Sequence, residues 1–241
     1  MEIRPWFIGV ITSLVVASGL IAQDDKIGHI VVGFKSALVS YPPQYNPLRR
    51  YPFMMVVGDV HQTAMDSYRI WQPIAADMGY ILVCPSGNFD QRGKITDDER
   101  QSLITVRNYL DRNYRVDAST SLLIGLAGGA NLAMETAMVY PRKFRNVVGF
   151  YGVFNARLEP VLRANMKDRE YLYSEFILVT SDGDLSQNSS TRLNDMLQDL
   201  GLQSELIVYP DMHQGYPSDL RAVMSKVRVK VAANAKKEMK H

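Results

Sequence analysis

Apolar residues fall along this chain in short, nearly unbroken runs separated by segments with helical spacing. "FMMVVG" (53–58), "YILVCP" (80–85), "SLLIGL" (121–126), "NVVGFYG" (146–152), "EFILVTS" (175–181) and "SELIVYP" (204–210) hold few polar positions. A strand with one wet face alternates apolar and polar residues, so runs of this kind predict strands covered on both faces. Two earlier strands are read at "HIVVGF" (29–34) and "ALVSY" (37–41), and the Pro-rich stretch "PPQYNPLRRYP" (42–52) connects them to the rest.

Helices are predicted between the runs. "DSYRIWQPIAADMG" (66–79) has helical spacing and ends at Gly79. Thr96-Asp97-Asp98-Glu99 forms a capping-box pattern, in which the Thr oxygen accepts an amide and the Glu reaches back. The helix it opens, 97–113, places Leu103, Val106, Leu110 and Tyr114 on one stripe. "GANLAMETAMVY" (129–140) is a helix stopped by Pro141, 190–200 a helix closed by Gly201, and the chain ends in another. Residues 153–173 show no clear period. Buried strands alternating with helices imply an α/β fold, a mostly parallel central sheet with helices on both faces.

The composition is that of a globular chain: of 241 residues, 46% are hydrophobic and 22% charged, and the formal net charge is +2. No basic run interleaves with aromatics, so nothing points to nucleic acid, and the tail "KKEMKH" reads as a solvated helix end. The four histidines are scattered without paired spacing, which gives no support for a metal, and no cofactor motif is present. The first residues differ from the rest. Arg4 precedes an apolar stretch from Phe7 to Ala22, and polar residues begin at Gln23. That is the layout of a secretory signal peptide at 1–22, followed by one domain over 23–241 and export to the periplasm or outside the cell. The other reading keeps the segment as a membrane anchor; the apolar stretch is shorter than the ~20 residues that span a bilayer comfortably. Cys84 is the only cysteine, so no intrachain disulfide can form, and its place in "YILVC" predicts a buried strand position.

In a parallel sheet, ligands bind at the carboxyl ends of the strands. Three predicted strand ends carry chemistry. After 126 stands Ala127 in the frame Gly125-Leu126-Ala127-Gly128-Gly129; after 181 come Asp182-Gly183-Asp184; after 210 come Asp211-Met212-His213. The order matches nucleophile, acid, histidine, with Ala where Gly-x-Ser-x-Gly has Ser. Glycines two positions either side of a strained nucleophile turn avoid collision between strand and helix.

Here the sequence resembles the α/β-hydrolase family, in its esterase, phospholipase/carboxylesterase and polyhydroxyalkanoate-depolymerase-like branch. The resemblance runs through "ALVSYPPQYNPLRRYPFMMVVGD", "DRNYRVDASTSLLIGLAGGANLAMETAMVYPRKFRNVVGFYG", "ILVTSDGDLSQ" and "ELIVYPDMHQGYP", in order and over nearly all of 23–241. It implies an α/β-hydrolase fold, with Ala127 at the nucleophile position, Asp184 at the acid position ahead of Asp182, and His213 as base. It further implies an acyl or ester small molecule as ligand.

Two departures bear on activity. An alanine methyl cannot attack an acyl carbon. Where the family has His-Gly-x-Gly-Gly at its oxyanion loop, this chain reads Gly58-Asp59-Val60-His61-Gln62, so Asp59, Val60 and Gly128 are the residues expected around the oxyanion position. An acid there disfavours developing negative charge unless it points away; His61 reads as a solvated loop residue. The second departure favours natural divergence over an engineered Ser-to-Ala change in an active esterase. The leading expectation is an exported α/β-hydrolase-fold protein with impaired serine-esterase activity. The alternatives are an active hydrolase using His213 and Asp184 with water or a displaced nucleophile (Ser86, Ser181 or Cys84), and a non-catalytic module that binds a ligand or partner.

Overall fold

Thr96 opens its helix as expected. Its hydroxyl accepts the Glu99 amide at 3.3 Å while Glu99 Oε2 accepts the Thr96 amide at 2.6 Å. The computed structural model describes residues 27–32, 35–86, 95–154, 158–165, 173–210 and 216–238. In them the chain forms strands β1 Ile27–Val32, β2 Lys35–Ser40, β3 Phe53–Val57, β4 Ile81–Ser86, β5 Leu122–Leu126, β6 Asn146–Phe150, β7 Glu175–Ser181 and β8 Gln203–Tyr209. The helices are α1 Ala64–Met78, α2 Asp97–Asn113, α3 Gly128–Val139, α4 Leu158–Asn165, α5 Gln187–Asp199 and α6 Leu220–Glu238.

All eight strands join one sheet in the order β1-β2-β4-β3-β5-β6-β7-β8. From β4 to β8 every pairing is parallel, and β1 and β2 add an antiparallel edge. The unbroken apolar runs are explained by this placement. Alternate residues of each strand point to opposite faces, and both faces are covered. Met55, Val57, Val83, Leu123 and Val147 face α2, α3 and α5 through Leu103, Leu110, Met134 and Leu197. Met54, Val56, Leu82, Ile124 and Val148 face α1 and α6 through Trp71, Ile74, Val223 and Val227.

Helix α1 begins two residues before the expected 66. Thr63 and Asp66 build a second capping box, and Gly79 closes the helix in the left-handed region at φ 77°. Helix α5 starts at Gln187 rather than 190, because the polar stretch before it is organised by Asp184 rather than by apolar spacing. Within 153–173, α4 occupies Leu158–Asn165; residues 155–157 and 166–172 lie outside the described residues. So does the proposed signal segment 1–22. Among the described residues, no helix is long and apolar enough to cross a membrane.

Candidate functional site

The turn between β5 and α3 is the focal point. Ala127 has φ 49° and ψ −112°, a conformation that costs an L-residue about 1–2 kcal/mol. Three constraints hold it there. Its amide donates to the Phe150 carbonyl at 2.8 Å, which ties the turn to the end of β6, and its carbonyl accepts the Ala130 amide at 3.0 Å. The glycine frame then lets α3 press against the sheet. A Cβ on Gly125 would stand 2.2 Å from the Gly129 carbonyl oxygen, and one on Gly129 would stand 2.3 Å from the Gly58 carbonyl oxygen. Neither position admits a side chain, because the obstructing atoms are backbone.

The loop after β3 supplies the next part. Asp59 and Gln62 close a turn, with the Gln62 amide donating to the Asp59 carbonyl at 2.8 Å. This directs the Asp59 side chain across to α3, where Oδ1 accepts the Gly128 amide at 3.3 Å. Val60 lies beside it, with Cγ1 3.2 Å from where a Gly128 Cβ would be. His61, on the outside of the turn, is exposed. The Gly128 amide follows Ala127, the residue the sequence resemblance expects at the nucleophile position. It is also the first free amide of a helix whose leading residue makes no side-chain cap. A carboxylate is favoured at such an end by the helix dipole. Asp59 therefore does for α3 what a cap would do.

No family model matches the chain, and no curated protein sequence matches it. Solved structures do. A fluorophosphonate-binding serine hydrolase of Staphylococcus aureus, solved with substrate bound, superposes with a TM-score of 0.63 at 10% identity, covering 83% of this chain and 92% of that one. A fungal esterase from Rhizomucor miehei gives 0.67 at 9% identity, covering 89% and 84%. A hyperthermophilic esterase from the archaeon Pyrobaculum calidifontis gives 0.64 at 13%, covering 87% and 86%. The chain has the α/β-hydrolase fold. At these identities the likeness is one of fold, so the roles of its residues must come from their own surroundings.

In this α/β-hydrolase fold, β6 separates β5, which leads into Ala127, from β7, which ends at Ser181. Asp184 lies on the turn beyond Ser181, half-buried, and its Oδ1 accepts the Ser186 amide at 2.6 Å and the Ser186 hydroxyl. Ser186 in turn meets Thr180 at 2.9 Å. Asp184 is thus fixed by the start of α5, whereas Asp182 is exposed. His213 lies outside the described residues, within 211–215, so its expected pairing with Asp184 and Ala127 is not described here. The described chain on either side of that segment is anchored. The Asp182 amide donates to the Tyr209 carbonyl at 2.8 Å, and the Tyr216 hydroxyl accepts Trp71 Nε1 at 3.0 Å. Tyr216 packs edge-on to Trp71 and to Phe150, at ring-centroid distances of 5.5 Å and 5.8 Å, and burial pushes its hydroxyl pKa upward. Phe150 serves both places: its backbone carbonyl accepts the Ala127 amide, and its ring packs against Tyr216.

The displaced-nucleophile candidates differ in access. Cys84 is fully buried in β4 and burial raises its thiol pKa, which keeps it protonated and unreactive. Ser181 is buried at the end of β7, and Ser86 is exposed at the end of β4. Among the described residues, no three His, Cys, Asp or Glu side chains are placed to hold a metal ion. The sequence reading missed the Trp71–Tyr216 clamp and the second strained residue, Tyr151 at φ 53°. Only the Thr63-x-x-Asp66 cap was open to detection, since it follows the same spacing as Thr96-x-x-Glu99.

Proposed function

We propose that this is an exported α/β-hydrolase-fold protein whose serine-esterase chemistry is switched off, and which keeps a concave site for an acyl or ester ligand. One observation carries the reading: the Asp59 carboxylate rests on the Gly128 amide beside the Ala127 methyl. The nucleophile is missing, and the first oxyanion donor is already bonded to a negative charge. An incoming carbonyl oxygen would have to displace a carboxylate to reach that amide, and would then gain charge next to it. Asp184 and His213 are retained in the reading as acid and base of the vacated triad. The N-terminal segment 1–22 directs the chain to or across a membrane.

The test is hydrolysis of p-nitrophenyl acetate and butyrate, together with labelling by a fluorophosphonate. The native chain is expected to be silent in both. Ala127→Ser alone restores the hydroxyl but leaves Asp59 in place. Ala127→Ser with Asp59→Gly frees the amide as well, and is expected to exceed the single variant by about 10² or more, the usual worth of an oxyanion donor. Adding His213→Ala should abolish the gain. Esterase-like turnover or stoichiometric labelling of the native chain would overturn the proposal, and would favour a displaced nucleophile or water activated by His213. Silence in every variant, with no ester shifting the melting temperature, would favour a partner-binding module instead.

A further inference from the structure

The amino ends of the parallel strands, opposite Ala127, gather positive charge from three separate connections. The segment before β3 brings Arg49 and Arg50, the end of α2 brings Arg112 and Arg115, and the turn before β6 brings Lys143. Backbone bonding draws the first two together: the Tyr51 amide donates to the Arg115 carbonyl and the Asp117 amide to the Tyr51 carbonyl, both at 2.9 Å. Arg115 also donates to the Leu48 carbonyl at 3.0 Å. Arg49, Arg50, Arg112 and Arg115 are all exposed. Arg50, Tyr114, Arg115 and Val116 line a cleft of about 460 Å³ with Asp111.

Asp111 and Asp117 lie on the same face. Asp111 pairs with the buried Arg107 and with Lys143 at 3.2 Å. Asp117 accepts the Ser119 and Thr120 hydroxyls, each at 2.6 Å. Arg107 and Lys143 are spent on Asp111, and the hydroxyls on Asp117 leave its charge in place, but Arg49, Arg50, Arg112 and Arg115 outnumber it, so the face keeps a net positive charge.

The same face is where the chain enters the sheet. Ile27 pairs with Ser40, and Ser40 with Leu82, so β1 begins at the amino end of β4. A Cβ on Gly28 would lie 3.8 Å from the Tyr41 hydroxyl, and that hydroxyl is 2.8 Å from the Tyr114 hydroxyl, on the rim of the cleft. Upstream, the apolar stretch ends at Ala22. Five residue steps separate it from Ile27, a reach of at most roughly 18 Å.

We propose that this basic face lies on an anionic membrane surface, with the N-terminal apolar segment inserted beside it as a tether. The proposal rests on that segment being retained rather than cleaved. Its consequence is an orientation: the Ala127 turn, at the carboxyl ends of the strands, faces away from the bilayer.

The test uses the full chain in phosphatidylcholine vesicles, with or without about one-third phosphatidylglycerol. Amide hydrogen exchange is followed over residues 44–52 and 111–117. With phosphatidylglycerol at low salt, exchange in both segments is expected to slow about tenfold. The slowing should vanish in phosphatidylcholine alone and in about 0.5 M NaCl, where screening is strong. Arg49→Glu with Arg50→Glu and Arg112→Glu should abolish it, and the corresponding Lys variants, which keep the charge, should retain it. An unchanged melting temperature shows that the variants fold. Equal exchange in both vesicle types overturns the proposal, as does slowing by soluble polyglutamate but not by vesicles, which would assign the face to an acidic macromolecule. Flotation with vesicles in about 0.5 M NaCl reports the tether separately, so its failure and that of the face are distinguishable.

Discussion

Gly129 lies directly under Gly58: a methyl placed on Gly129 would come within 2.3 Å of the Gly58 carbonyl oxygen and 2.4 Å of the Val57 carbonyl oxygen. Both obstacles are backbone of the central β3 region and cannot rotate aside. Gly129→Ala should cost at least about 3 kcal/mol, measured by urea unfolding, because the start of α3 must lift off the sheet.

Ala127 gives the opposite sign. At φ 49° the methyl is strained, and Gly removes that strain. Ala127→Gly is expected to be neutral or to stabilise by up to about 1 kcal/mol, after allowing for the greater freedom of the unfolded chain. Ala133→Gly, four helical positions past Gly129 and fully buried, should instead cost about 1–2 kcal/mol. Equal destabilisation by both changes would refute the strained-turn description.

The bond from Gly128 to Asp59 predicts a graded series. Asp59→Asn keeps an acceptor and loses the charge at the helix end, for a cost of about 0.5 kcal/mol. Asp59→Ala loses both, for about 1–2 kcal/mol. A stabilised Asp59→Ala variant would show that the carboxylate is strained there rather than serving as a cap.

Glu175 is fully buried at the start of β7 and is held by Lys230 at 2.7 Å; Lys230 also reaches Glu205 at 2.6 Å. Burial draws the Lys230 ammonium down, but the bonds and charges of Glu175 and Glu205 outweigh it, and its pKa is raised above the ordinary 10.5. A raised pKa in the folded state adds stability that is fully present below the unfolded value and is lost as pH climbs through the folded one. Thermal stability should therefore be flat in this contribution through neutral pH and decline above about 10.5, more steeply in the native chain than in Lys230→Met. At pH 7 that variant leaves a carboxylate buried without its cation and should cost about 3–5 kcal/mol.

How far the sequence foretold this structure depends on what carries each feature. The bounds of α2 and β7 follow from local signals, a capping box in one case and an unbroken apolar run in the other. The strained turn at Ala127 followed from the glycines that surround it. The direction of the Asp59 side chain did not, because a loop residue points where its turn and a distant helix end place it, and Gly128 is far away in sequence. The same holds for the early onset of α5, set by Asp184 reaching Ser186, and for the Trp71–Tyr216 bond, which joins the first helix to the approach of the last. The antiparallel sense of β1 and β2 was equally silent, since apolar runs reveal burial and not direction.

Cys84, without a trace of solvent exposure in β4, has an experimental consequence. Because the chain holds a single thiol and hides it between two helical layers, a maleimide can bind only after the sheet itself has opened. At maleimide concentrations high enough for capture to outpace reclosing, its rate times the lifetime of the native state, with no label to be engineered in.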